Sequence, residues 1–313
     1  MIKQPQELSA IGKMFSMIIY GEPGIGKTTV AKSAELPVLC DFDRGVLRVR
    51  AEHRTPTIEI SNYDEFLVDL EDEQMKQFKT IIIDTAGSMV SMMYAKYDKE
   101  LNTKDPRKVY GAIKSEFSRL TGHIRDVMNK NVIYIFHSTE EQKNEKTVVR
   151  LLCEGSAKNI VWAPCDFGGY VFREKGKRII NFTSTEEAFA KGCHGIHGKW
   201  TLPELNPGDK NDFITKLFEQ ARKNIEAEDA QSNELKSQYN EIMEKGKALI
   251  DTVVDIETAN VAMGQLVDLN HVSTSKKELS TQLAIKANSV GLFFDKVLGT
   301  YTKAPAEETK EAK

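Results

Sequence analysis
"YGEPGIGKTTV", Tyr20 to Val30, follows the apolar run Phe15-Ser-Met-Ile-Ile-Tyr20 and leads into the helix-like "TTVAKSA". The spacing Gly21-x-x-x-x-Gly26-Lys27-Thr28 is a complete P-loop pattern in the context it needs, with a buried strand before it and a helix after it. Gly21, Gly24 and Gly26 let the backbone turn successive N–H groups inward, and the helix beginning near Lys27 adds its positive end to the same cradle. Lys27 is placed to reach the β and γ phosphates of ATP, and the Thr28 hydroxyl to ligate Mg²⁺. Glu22, Pro23, Ile25 and Thr29 complete the phosphate-binding stretch. Glu22 is an acid inside an anion-binding loop. It is tolerable if its side chain faces solvent or an adjacent subunit while only its backbone faces the phosphates.

The surrounding chain sets the frame. Its 313 residues, 40% hydrophobic and 28% charged, suffice for one large domain and a smaller one. A net charge of −3 carries no global nucleic-acid signature, so any contact with DNA or RNA must come from a local basic face. Cys40, Cys153, Cys165 and Cys193 are scattered without a C-x-x-C pair, which suits a reducing cytoplasm and argues against a disulfide framework. The N-terminal stretch lacks an apolar signal core, and no run approaches ~18 apolar residues, so a cytoplasmic protein without membrane contact is expected.

From Phe15 to about Arg222, short apolar strands alternate with helix-like segments, as a parallel α/β sheet requires. The expected strands are 15–20, 37–41, 57–60, 79–84, 132–137, 148–152, 170–173 and 178–183. The longest helical stretch, 89–130, is broken at Pro106. Residues 1–225 form the expected nucleotide-binding domain. The polar run at 226–240 reads as a linker or exposed helix, 241–302 as a small, strand-free, all-helical domain, and 303–313 as a disordered tail. In the helical domain, Ser275-Lys-Lys-Glu278 reads as a capping box, followed by Leu279, Leu283, Val290, Phe294 and Val297 at helical spacing.

A second signature is "FKTIIIDTAGS", Phe78 to Ser88, an apolar strand ending in Asp84. This is a Walker B pattern, whose carboxylate can hold Mg²⁺ through a coordinated water. AAA+ machines usually carry a glutamate after that acid to activate water, and here the next residue is Thr85. A hydrolytic site must then take its base from elsewhere, and "PVLCDFDRG" offers Asp41 and Asp43 at the end of the second strand. "NVIYIFHS" ends the strand after Walker B on His137.

Together "YGEPGIGKTTVAKSAELPVLCDFDRG", "TIIIDTAGSM", "NVIYIFHS" and "PCDFGGYVFREKGKRIINFT" resemble the phage-type RecA-like ATPases, including the Sak-group proteins that act as ATP-binding single-strand annealing recombinases. The resemblance spans roughly residues 10 to 220. It implies a RecA-like core with a mostly parallel sheet flanked by helices, Mg²⁺-ATP binding, homo-oligomerisation, single-stranded DNA as polymer partner and work beside a single-strand-binding protein. In that pattern Asp43 matches the catalytic carboxylate, as a shorter Asp where the family has Glu. His137 matches the polar residue that senses the γ-phosphate. From the residues alone, Asp43 can also be read as a turn acid before Gly45, and His137 as a hydrogen-bonded strand-end histidine.

Nucleic-acid contact has candidate segments. Between Lys96 and Lys130, nine basic residues stand against five acids, with Tyr94, Tyr97 and Tyr110 interleaved; this fits either a single-strand surface or a solvated helix face with core-packed tyrosines. Ser138 to Arg150 occupies the place of the RecA-like DNA-binding loop, but its charges cancel. "FREKGKRII" reads as a basic hairpin that could present a cation to a neighbour's γ-phosphate. "GCHGIHGKW" brings Cys193, His194 and His197 close together without a fourth zinc ligand or a standard finger spacing. Two functional readings stand: an ATPase working on single-stranded DNA, and a nucleotide-gated interaction module that hydrolyses little or nothing and recruits a partner through its C-terminal helices.

Overall fold
The computed structural model describes residues 13–45, 54–143, 146–153, 155, 157–206 and 208–303. β1 (Ser16–Gly21) is buried along its whole length, with Ile18 and Tyr20 in one hydrophobic core and Met17 and Ile19 in another. Burying each such isoleucine contributes about 1.5–3 kcal/mol, and a strand covered on both faces reads as an unbroken apolar run. β4 (Thr80–Asp84) and the first half of β5 (Asn131–Lys143) are buried in the same way.

These strands join β2 (Pro37–Asp41), β3 (Thr57–Glu59) and β7 (Phe167–Glu174) in the parallel body of a sheet. β8 (Lys177–Asn181) and β9 (Lys199–Thr201) extend one edge antiparallel, and β6 (Lys146–Leu151) folds back on the far half of β5. The order along the sheet is β3-β2-β4-β5-β1-β7-β8-β9. β5 thus lies between the P-loop strand β1 and the Asp84 strand β4. This is the expected RecA-like α/β class, a central mostly parallel sheet flanked by helices.

One face is covered by α2 (Tyr63–Leu70), α3 (Ala86–Leu101) and α4 (Pro106–Gly122), with the short α5 (Ala157–Ile160) at its margin. The other carries α1 (Lys27–Ala31) and the first turns of α6 (Phe213–Asp251), whose Ile214, Leu217 and Phe218 pack on the sheet. The break between α3 and α4 falls where Pro106 requires it: Asp105 caps α4 by accepting from the Arg107 N–H, and proline takes the first helical position. The 226–240 stretch lies inside the 39-residue α6.

The described residues fall into two compact units, divided between Ile225 and Glu226. The second has its own core, where Ile242 and Met243 of α6 meet Ala259, Ala262 and Leu266 of α7 (Ile256–Val267) and Leu279 and Leu283 of α8 (Ser275–Ser289). It is not strand-free, because β10 (Leu292–Asp295) and β11 (Thr300–Lys303) form an antiparallel hairpin that Asn260 ties to α7 through both the N–H and the carbonyl of Tyr301. The all-helical expectation fails at Gly291 and Gly299, whose φ of 77° and 68° stop the helix and turn the hairpin. Phe294 is therefore a strand residue and Val297 is 94% exposed in the turn.

The capping box at Ser275 also fails. Thr274 holds the cap position of α8, and the buried Ser275 instead accepts from the Val272 N–H. The tail expected beyond Lys303 lies outside the described residues, as do residues 1–12.

Candidate nucleotide-binding site
Parallel pairing places the ends of four strands side by side. Gly21 at the end of β1 is in register with His137 on β5, and Asp84 at the end of β4 is in register with Asp41 on β2. Ligands of open α/β sheets bind at this carboxyl edge. Gly24 and Gly26 take φ values of 75° and 97°, which aim the loop amides inward, and a Cβ added at Gly24 would meet nothing within 4 Å. Gly21 is needed for a different reason: a side chain there would strike the carbonyl of Val171 on β7.

Lys27 is buried, and its ammonium donates to the carbonyls of Gly21 at 3.0 Å and Glu22 at 2.7 Å, with His137 Nδ1 at 3.4 Å. Burial pulls its pKa down to about 8 against the opposing pull of Asp84 and Glu22. Glu22 and Pro23 are exposed, so the acid presents its backbone to the loop and its side chain outward. Ile25 anchors the loop in the core, and the Thr29 carbonyl accepts from Asn211 at 2.9 Å.

The Thr28 hydroxyl donates to Asp84 Oδ2 at 2.6 Å. Burial pushes the Asp84 carboxyl up to about 6, and the charges of Asp43 and Asp41 add to it, while Thr28 and Lys27 pull the other way. Asp41 itself accepts from the Gly45 N–H at 2.9 Å and acts as the turn acid, while Asp43, two residues on and half-buried, contributes the larger of the two acidic charges felt at Asp84. Thr85 caps α3 through the Ser88 N–H and supplies no carboxylate.

The donor set fits a nucleotide and a hard divalent cation. A buried ammonium faces an open glycine cradle, and a hydroxyl meets a carboxylate whose ionisation is disfavoured by burial and by two neighbouring acids, a charge balance that a divalent cation would relieve.

The other candidate segments sort themselves by packing. Tyr94, Tyr97 and Tyr110 lean on the core, with Tyr94 and Tyr110 rings 5.5 Å apart, and Lys96, Arg107, Arg119 and Arg125 are paired with acids. For these residues the packing fits the solvated-face reading of 96–130. The segment after His137 continues in β5 and pairs antiparallel with β6, residues 144–145 lying outside the described residues, and Lys158 sits on Glu141 at 2.6 Å.

Cys193 and His194 meet Asp166 rather than His197. Three facts argue against metal there: Lys13 sits 2.9 Å from His194 Nε2, Arg125 sits 3.6 Å from Asp166, and burial pushes the Cys193 thiol up to about 11. The cluster also lies at the start of β1, where Asp166 accepts from the Ser16 N–H, at the opposite end of the strand from the P-loop.

Fold and site define a nucleotide-binding P-loop protein with a central, mostly parallel α/β sheet. A family model described as an AAA domain matches residues 13–194, more than half of the chain, and the chain belongs to that family. No match is found among curated proteins. Among solved structures the chain is similar to the crystal structure of the RadB recombinase, with 16% identity, 53% of this chain and 79% of that chain covered, and a TM-score of 0.34. Among the described residues, no helix is long and apolar enough to cross a membrane.

Proposed function
We propose that the protein is a Mg²⁺-dependent ATPase that acts on single-stranded DNA in phage recombination or replication, as a homo-oligomer in the host cytoplasm beside a single-strand-binding protein. The observation that carries the ATPase reading is the meeting of Lys27, Thr28, Asp84 and His137 at one edge of the sheet. Thr28 and Asp84 would hold the Mg²⁺, which when bound would supply positive charge to the phosphate oxygens. Lys27 exchanges its backbone carbonyls for the β and γ phosphates, a stronger charge-assisted contact. Asp43 orients the attacking water and accepts its proton, and His137 reads the γ-phosphate. The DNA reading is supported by the sequence resemblance and by the continuity of β5, which carries His137 directly into the 138–151 hairpin. ATP turnover of wild type and Lys27→Ala with and without single-stranded DNA, followed by gel shifts, tests both parts. Turnover indifferent to DNA together with no shift would end the DNA reading.

A second reading, a nucleotide-gated interaction module with little hydrolysis, is favoured by the short Asp43 and by apolar exposure in the C-terminal unit, where Phe294 is 43% and Leu298 66% exposed. Robust turnover abolished by Asp43→Ala would count against it.

A further inference from the structure
We infer that Arg178 grips the nucleoside-side phosphate of the bound nucleotide from within the same chain; this rests on the nucleotide reading of the P-loop. The hairpin of β7 and β8, turned by Lys175 and Gly176 at φ 49° and 80°, brings Arg178 opposite Arg173 at the same sheet edge as the P-loop. Its guanidinium lies over the last glycine of the loop: a Cβ at Gly26 would come within 2.5 Å of Nη1. Nη2 donates to the Pro203 carbonyl at 2.7 Å, which fixes the guanidinium plane and leaves Nη1 facing the loop.

Direction decides what this cation meets. Sheet order runs β4-β5-β1-β7-β8, so Asp84 and His137 stand on one side of β1 and Arg178 on the other. The Thr28–Asp84 pair and the Lys27–His137 approach mark the first side as the place of the metal and the terminal phosphate. A polyphosphate laid along the loop from that side has its nucleoside end on the β7–β8 side, under Arg178. A planar guanidinium suits a phosphate's paired oxygens, and glycine at 26 lets it approach the backbone.

Such a contact differs from a cation lent to a neighbouring subunit. It engages ATP and ADP alike and needs no assembly. The test is calorimetric titration of the full chain with Mg²⁺-ATP and Mg²⁺-ADP at several protein concentrations, comparing wild type, R178Q and R178K, each checked for an unchanged melting profile. R178Q is expected to weaken both nucleotides by the same factor, about tenfold, at every concentration, and R178K to recover part of it. Loss for ATP with ADP spared would place the cation on the terminal phosphate and overturn the inference. So would unchanged affinities with turnover that falls only as concentration rises, the mark of a neighbour's site, or no change in any variant. Failure of wild type to bind either nucleotide would instead sink the P-loop reading, and this inference with it.

Discussion

Replacing Asp84 with asparagine is expected to stabilise the nucleotide-free protein while removing the proposed Mg²⁺-dependent ATP turnover. Asparagine keeps an oxygen to accept from Thr28, whose hydroxyl donates to Asp84 at 2.6 Å, but it carries no charge to be desolvated or to face Asp43 and Asp41. The folded-state pKa of about 6 stands above the ordinary 3.8, so ionising this group costs more in the folded chain than in the unfolded one. A raised acid means no penalty below the unfolded value, a penalty that grows as pH rises between the two, and a full penalty above the folded value. A shift of about two units corresponds to about 3 kcal/mol, and solvent access at the half-buried edge brings the expected gain nearer 2 kcal/mol. For a chain of this size that raises the melting temperature by about 5 °C. The assay is thermal unfolding of wild type and D84N in chelator, from about pH 4 to about pH 8, reading the difference between them. A gain that appears between about pH 4 and 6 and then levels off supports the reasoning. A gain independent of pH, or a loss at the alkaline end, refutes it.

Lys27→Ala should lower nucleotide affinity by about a hundredfold or more in calorimetry while changing the melting temperature little, because the lysine's shortest contacts in the absence of nucleotide are to two carbonyls of its own loop, with His137 only at 3.4 Å. His137→Asn should narrow the ratio of ADP to ATP dissociation constants, leaving ADP unchanged, if the imidazole reads the γ-phosphate; weakening of both would refute that role. Leu279→Ala, in the core of the second unit, should cost about 2–5 kcal/mol in a denaturation transition of that unit while nucleotide affinity stays at the wild-type value.

The parallel sheet was readable because its strands are covered on both faces, and unbroken runs such as Ile81-Ile-Ile83 and Val132-Ile-Tyr-Ile-Phe136 have no other stable home. The helix break at Pro106 was readable because proline cannot continue a helix but can open one, and Asp105 before it caps the Arg107 N–H. Three-residue β9 was not, since Lys-Trp-Thr holds too few residues to show a period. The C-terminal hairpin was missed because Phe294 and Val297 happened to continue a helical spacing, although Gly291 and Gly299 carried the contrary signal. In the site, strand-end positions say that Asp84 and His137 share an edge with the loop. They do not say which strand neighbours which. Arg178 over Gly26 and Asp166 beside Cys193 follow from lateral strand order, which is a property of the assembled sheet and not of any local pattern.

The lateral order also sets when the site can exist during synthesis. Thr28 and Asp84 are 56 residues apart in the chain, but Lys27 and His137 are separated by 110, and it is β5 that stands between the first two. A nascent chain complete only through β4 holds both the loop and the acid, yet the strand that spaces them has not emerged, and the flank formed by β7 comes later still. Pairings of such long range form slowly, and much of the domain must be present before any ladder around β1 can close. Affinity for nucleotide should therefore arrive late and all at once. From that point free nucleotide at about a hundred times its dissociation constant would add about 2.7 kcal/mol to the folded state, acting as a fastener applied after assembly.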